Sequence, residues 1–311
     1  MAIHTNQPPF YESSMHYASL FRSIALAIAL VGACMAVSAC KGSKKGSRNG
    51  GSSGSKPADA FRLLDLTTGK ITKADSTYNP ASAPTTTMVF VKIPAGNYYV
   101  GDVKPIVPAE AARLIPVTAY WIGVYEVTQA QWMALAGGTT PWTLAGPTSM
   151  TGPTATIDKA PAFNLSTTDV TIRLTAYSTG SATPSSISLP TEDQWEVACR
   201  GGATTLGLYA WGDDDSITTI AKYAHCFDTG AYAGTGVALV GGRQPNGFGL
   251  YDTHGNVAEL VDPGTNPNSV TRGGGWTSGR TELRASARVV STPKNQPQAT
   301  IGVRLILNTT L

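Results

Sequence analysis

The chain has few of the residues on which redox and metal chemistry depend. Its 311 residues include only 4 cysteines and 4 histidines, and no cysteine follows Cys226. Charged residues make up only 14%, against ~25% in typical proteins. Much of the net charge of +3 comes from the short run 41–56, so nothing indicates a nucleic-acid partner. No P-loop, dinucleotide fingerprint or Ser-His-Asp arrangement is found either.

The N-terminal region indicates export. Residues 24–37 form an apolar run that is shorter than the ~20 residues of a transmembrane helix. Residues 37–40, Val-Ser-Ala-Cys, resemble the lipobox of bacterial lipoproteins, which are cleaved before the cysteine and lipidated on it. We therefore predict a lipoprotein signal peptide over 1–39, then a lipidated Cys40 and a flexible Gly/Ser/Lys tether over 40–59. A non-lipidated signal or a plain anchor helix is the alternative.

These features predict a protein of the bacterial cell envelope. The lipid would attach it to the membrane, on the outer-membrane surface, and the tether would hold the domain away from the bilayer. Only Cys199 and Cys226 would remain in the processed domain. An exported location permits a disulfide between them, but the sequence leaves the pairing open.

The domain expected over 60–311 begins with strand patterns. Residues 88–93 are apolar and β-branched, and a Pro-Ala-Gly turn separates them from 97–100, which predicts a β-hairpin. The alternation over 117–127 predicts further strand.

Two short helices are expected among these strands. Thr128 and Thr191 each precede a glutamine by three residues, the capping-box pattern, so a helix should begin after each. Cys199 would lie in the second helix and belong to the core. Few helices, many strands and long loops predict an α+β fold.

Short motifs over roughly residues 86–306 occur in the order found in one protein family. They lie at residues 88–101, 116–132 (with Glu126-Val127-Thr128), 161–166, 189–196, 209–213, 245–259 and 272–276. The ordered set resembles the formylglycine-generating enzyme family. It implies a C-type lectin-like fold of that type, with short helices, twisted antiparallel strands and long loops. The tryptophans at 195, 211 and 276 are then expected to be structural.

The resemblance also implies that the family's copper chemistry is absent. Its catalytic members have two cysteines just after the aromatic residue of the RGG motif, and these bind copper as soft thiolates. Ser278 stands at the first position and no cysteine lies near the second. We therefore expect no copper and no enzymatic activity. A histidine-dependent iron site would have only His225 and His254, with an acid such as Asp228, and we expect structural roles for both histidines.

Calcium is the metal that the resemblance favours. The resemblance implies a calcium site in which one turn supplies two side-chain oxygens and two backbone carbonyl oxygens. Those positions correspond to Asp252, Gly255, Val257 and Glu259. Hard oxygen donors suit Ca²⁺, which would be structural here. The alternative is a metal-free turn in which both carboxylates accept backbone N–H bonds.

The C-terminal segment resembles the variable proteins of diversity-generating retroelements, such as treponemal variable lipoproteins. In these noncatalytic binders, framework residues alternate with hypervariable ones. Framework positions here would be Arg272–Trp276, Arg284, Ala285, Ala287, Pro293 and Ile301–Leu305, within a variable region over 272–305. The predicted binding residues are Trp276, Thr277, Ser278, Gly279, Arg280, Glu282, Val289, Val290, Ser291, Lys294, Gln296 and Gln298. An ordinary solvated loop is the alternative.

The sequence thus predicts a surface-displayed, noncatalytic lipoprotein that binds a protein or carbohydrate ligand. Two other hypotheses stay open. One is an enzyme of the same fold with a metal or thiol site that involves Cys199, Cys226, His225 or His254. The other is a structural or assembly lipoprotein of the envelope.

Overall fold

The structure, a computed structural model, describes residues 59–135, 140–144, 158–180, 186–231 and 236–308. All of them belong to one unit, Gly54–Leu311. The predicted signal peptide, the lipidated Cys40 and nearly all of the tether lie outside the described residues. Within the described ranges, no helix has the length and apolar character needed to cross a membrane.

Strands dominate the described part of the chain. They are β1 (Phe61–Asp65), β2 (Ile71–Ala74), β3 (Thr87–Ile93), β4 (Gly96–Val100), β5 (Arg113–Val117), β6 (Tyr120–Gly123), β7 (Ser186–Ser188), β8 (Ala258–Val261), β9 (Asn268–Arg272), β10 (Val289–Pro293), β11 (Ile301–Val303) and β12 (Ile306–Asn308). They form a six-stranded sheet in the order β2-β1-β3-β6-β12-β7, a four-stranded sheet in the order β10-β9-β8-β11, and the pair β4-β5. Only the β8–β11 pairing among these strands is parallel.

The predicted hairpin over 88–100 is wrong. Strand β3 pairs with β1 and β6, whereas β4 pairs with β5. Residues Thr87–Phe90 are all buried, and both edges of β3 are already paired within the six-stranded sheet. The turn after Ile93 therefore leads the chain out of that sheet. The predicted strand over 117–127 is also shorter, since β6 ends at Gly123.

Four α-helices are described: α1 (Gln129–Ala134), α2 (Thr167–Gly180), α3 (Glu192–Cys199) and α4 (Ile217–Tyr223). The two expected capping boxes are present, at Thr128 before α1 and at Thr191 before α3. The sequence patterns did not predict α4 or α2, which is the longest of these four helices.

The physical reason for missing α2 is its composition. It is rich in threonine, which has a weak helix propensity. Its hydroxyls return hydrogen bonds to carbonyls one turn earlier, as in the bonds from Thr171 to Thr167 O and from Thr175 to Thr171 O. The buried apolar stripe is narrow: Val170, Leu174 and Tyr177. Ser166 caps the helix by accepting the Asp169 N–H at 3.1 Å, a Ser-x-x-Asp signal that was overlooked.

The six-stranded sheet is covered on both faces. One core cluster joins Phe90 of β3 to Trp132 of α1 and Leu174 of α2, and it extends to Val303 of β11. A second cluster lies against Ile122 and Ile306 and includes residues of α3. This arrangement is the expected α+β, C-type lectin-like architecture, and it places the turn after β9 next to α3.

Candidate functional site

The site is built on the turn that follows β9. Gly273 and Gly274 have φ angles of 82° and 67°, a region that suits glycine. A Cβ on Gly273 would stand 3.0 Å from Thr253 O and 3.0 Å from the Trp195 ring. Glycine is therefore required here, because the backbone packs directly on α3.

A buried arginine fixes the strand that enters this turn. The Arg272 guanidinium donates from Nη2 to Glu196 Oε2 at 2.6 Å and from Nη1 to the carbonyls of Ser286 and Ala287 at 2.7 and 2.8 Å. Glu196 also accepts from Arg200 Nε at 2.8 Å. Glu196 is thus part of a structural network, and the network holds both ends of the segment 272–287 together.

Arg284 fixes the middle of the same segment. It donates from Nη1 to Asp102 Oδ2 and from Nη2 to Glu110 Oε2, both at 2.9 Å. All three residues are buried. Charges buried in this way need their partners, so the pairings constrain the backbone path strongly.

A pocket of about 230 Å³ opens beside this framework. Six of the twelve predicted binding residues line it: Thr277, Ser278, Glu282, Val289, Ser291 and Gln298. The structure therefore brings together, around one cavity, residues that are up to 21 positions apart in the sequence (298 − 277).

Exposure separates framework from predicted binding positions. None of the twelve predicted binding residues is buried. Most framework residues are buried, among them Arg284, Ala285, Ala287 and the whole of Ile301–Leu305. Two framework residues depart from this division: Pro293 is exposed, and Trp276, which was assigned to both sets, is half-buried.

The pocket is also lined by residues that were not among the twelve predicted binding residues, and five of them were assigned to the framework. The additional lining residues are Ala258, Thr271, Arg272, Gly273, Gly274, Ala287, Thr300 and Ile301. Thr271 and Thr300 each stand one residue before a framework motif, so adjacency to the motif was the available signal. Thr271 and Thr300 could not be predicted as lining residues, because the alternation within a strand does not reveal which distant strands lie beside it.

The other six predicted binding residues do not line the pocket. Trp276 packs against the core cluster of Phe163 and Val257, in keeping with the structural role expected for it. Arg280 bonds to Asp228, and Lys294 Nζ donates to the Gly264 carbonyl at 3.1 Å. Gly279 is half-buried, and Val290 and Gln296 are exposed.

The thiol and imidazole groups considered for an enzyme are buried. Cys199 and Cys226 are both free, so they do not form a disulfide. Cys199 Sγ lies 3.5 Å from His254 Nε2, but burial raises the pKa of this thiol to about 12. Burial also lowers the pKa of His254 to about 4. The pair is therefore a neutral thiol beside a neutral imidazole, an arrangement unsuited to nucleophilic chemistry.

His225 and His254 make structural contacts. His225 Nε2 donates to the Gly236 carbonyl at 2.8 Å, and His254 Nδ1 donates to the Leu283 carbonyl at 2.7 Å. Burial lowers the pKa of His225. Asp228 accepts from Arg280. Among the residues that the structure describes, no three His, Cys, Asp or Glu side chains are grouped to hold a metal.

The predicted calcium turn uses its carboxylates for protein contacts. Glu259 accepts from Arg304 on both oxygens and from Trp195 Nε1 on Oε2 at 2.5 Å. Asp252 Oδ2 accepts the Gly241 N–H at 2.6 Å. A guanidinium thus already faces the carboxylate that would bind Ca²⁺, so Asp252, Gly255, Val257 and Glu259 do not fit the ion as they are arranged. These contacts favour the metal-free alternative, and the predicted calcium binding is left to experiment.

The sheets, the covered core and the glycine turn after β9 define a C-type lectin-like domain. Residues 75–309 match the sulfatase-modifying factor enzyme 1-like domain, and the chain belongs to that family.

Named relatives of the chain include formylglycine-generating enzymes. That of Mycobacterium tuberculosis is 42% identical over 78 residues, which cover 23% of this chain and 25% of that protein. That of Bos taurus is 25% identical over 268 residues, which cover 70% of this chain and 65% of that protein. The chain thus spans a quarter of the first relative's length and just under two thirds of the second.

Two solved structures show the same fold. Treponema denticola variable protein 1 superimposes with a TM-score of 0.56 at 22% identity, covering 75% of this chain and 98% of that chain. PvdO from Pseudomonas aeruginosa gives a TM-score of 0.57 at 23% identity, covering 75% of this chain and 100% of that chain. The family therefore includes enzymes, and the fold includes a variable protein.

Proposed function

We propose that the protein is a surface-displayed, noncatalytic ligand-binding lipoprotein whose C-terminal region is diversified by a retroelement. The observation that carries the proposal is the division within residues 272–305. Framework side chains there are mostly buried, whereas the predicted variable ones are half-buried or exposed, and six of them surround the pocket. A binding surface that changes without harming the fold needs this division.

The contacts of Ser278 support a noncatalytic role. This residue replaces the first catalytic cysteine of the family, and its Oγ accepts the Gly275 N–H at 3.2 Å, which stabilises the turn. The two cysteines of the described domain are buried elsewhere. A hydroxyl engaged in a turn offers no soft metal ligand.

The lipidation at Cys40 and the envelope location belong to the proposal on sequence grounds. A lipid anchor and a flexible tether would present the pocket to ligands outside the cell. The ligand would be a protein or a carbohydrate, because a pocket lined by both polar and aliphatic side chains suits either class.

Sequencing this gene from sibling isolates tests diversification. We expect substitutions to concentrate at Thr277, Ser278, Glu282, Val289 and Ser291, with a matching template repeat nearby. Arg272, Arg284 and Arg304 would be the internal control, since they should not change. Uniform residues over 277–298, with no repeat, would refute this part of the proposal.

Metal reconstitution and pull-down experiments test the two alternatives. Stoichiometric copper or iron after reconstitution would favour an enzyme. Capture of one fixed envelope protein, independent of the pocket residues, would favour a structural lipoprotein. We expect neither result.

A further inference from the structure

We infer that the pocket beside the β9 turn selects a positively charged side chain of a protein ligand, and that Glu282 is the residue that selects it. The group would be a lysine-type ammonium on an aliphatic stem. This inference rests on the proposed function, since it takes the pocket to be a ligand site.

The first step concerns charge. Arg272 and Glu282 are the charged residues among those that line the pocket. Arg272 is 4% exposed, and its two Nη atoms donate to Glu196 and to two carbonyls, so the guanidinium is largely withdrawn from the cavity. Glu282 forms no ion pair with any residue in the described ranges. The exposed charge at the pocket is therefore the negative one of Glu282.

The second step concerns the availability of the carboxylate. Glu282 is exposed, and its Oε2 accepts the Gly279 N–H at 3.2 Å. A carboxylate has about four acceptor positions, so this bond orients the group and leaves Oε1 available for a ligand. Arg280, two residues earlier, does not neutralise it, because its guanidinium is directed to Asp228 and Asp215.

The third step concerns size and shape. A volume of about 230 Å³ is below the ~300–1,000 Å³ of pockets for drug-sized ligands, so the cavity accommodates a single side chain. Ala258, Ala287 and Ile301 supply apolar wall along which a lysine stem can pack. Thr277 and Ser278 line the same cavity, and a hydroxyl can accept from an ammonium group.

Surface plasmon resonance on the immobilised full-length protein tests the inference. The probes are three glycine-flanked peptides that differ at one central residue: lysine, norleucine or glutamate. We expect the lysine peptide to bind about three- to fivefold more tightly than the norleucine peptide, the effect of one partly exposed ion pair. The preference should shrink as salt rises. Glu282→Gln should abolish it, and Glu282→Lys should favour the glutamate peptide.

Asp262→Asn is the matched control. Asp262 is likewise an exposed carboxylate that accepts one turn N–H, from Gly264 at 2.9 Å, but it does not line the pocket. This variant should keep the lysine preference. Ser291→Tyr, which fills the cavity, should abolish binding of all three peptides.

Two outcomes would overturn the inference: equal binding of the lysine and norleucine peptides, or a lysine preference that survives Glu282→Gln. Neither outcome would contradict the proposed function. That proposal is refuted by a different result, namely the absence of variation over 277–298 among the isolates. Because Glu282 stands at a position expected to vary, the preference would belong to this sequence and not to its relatives.

Discussion

The Arg304 guanidinium and the Glu259 carboxylate form a fully buried ion pair, with Nη2–Oε1 at 2.7 Å and Nε–Oε2 at 3.0 Å. The remaining Arg304 donors reach the carbonyls of Gly123, Val124 and Tyr251. Glu259 belongs to the four-stranded sheet and Gly123 to the six-stranded one. One side chain therefore joins the two sheets, which gives a physical reason for the framework role predicted for Ile301–Leu305.

Replacement of Arg304 by methionine should destabilise the domain by about 3–5 kcal/mol, because Glu259 would be left buried without its partner. The free energy of unfolding from urea denaturation measures the loss. The double variant Glu259→Gln/Arg304→Met should be more stable than Arg304→Met alone, since it removes the isolated charge. If the losses of unfolding free energy caused by the two single substitutions simply add in the double variant, the ion pair contributes less to stability than its geometry indicates.

Cys199 should be unreactive in the folded protein. Its thiol is buried, with its pKa raised to about 12, so the thiolate fraction stays very small between pH 7 and pH 9. We expect iodoacetamide to leave both Cys199 and Cys226 unmodified in native protein at pH 8 and to modify both after unfolding, as measured by mass spectrometry. Rapid native alkylation of Cys199 would instead support a thiol enzyme.

Local sequence signals predicted helices α1 and α3. Thr128 and Thr191 fixed the starts of α1 and α3 because a capping box involves only four consecutive residues. The structural roles of two tryptophans were also predicted: Trp195 is buried, and Trp211 stacks between Tyr209 and Tyr223.

Strand partners could not be predicted in the same way. The alternation in β3 and β4 shows that both are strands, but it does not show that β1 and β6 already occupy both edges of β3. The lining of the pocket could not be predicted for the same reason. Thr271, Val289 and Thr300 meet there through the order of the four-stranded sheet, which depends on contacts far apart in the sequence.

Calcium should not change the melting temperature of the domain, because Arg304 occupies the carboxylate that would bind the ion. Thermal unfolding in millimolar calcium and in EDTA provides the measurement. A bound ion would instead raise the melting temperature as its concentration rises. A rise that Asp252→Asn abolishes would restore the predicted calcium site, whereas a rise that persists in that variant would place the ion elsewhere.

Arg284 and Arg280 offer a matched comparison of framework and variable positions, four residues apart. Arg284 is buried against Asp102 and Glu110, both at 2.9 Å. Arg280 is 39% exposed, with carboxylate oxygens 3.4 and 3.9 Å away. Arg284→Met should cost about 3–5 kcal/mol of unfolding free energy, whereas Arg280→Met should cost less than about 1 kcal/mol. Urea denaturation of both variants measures these two losses of unfolding free energy. Similar losses would mean that the segment 277–282 is itself framework, which would leave too little freedom there for diversification.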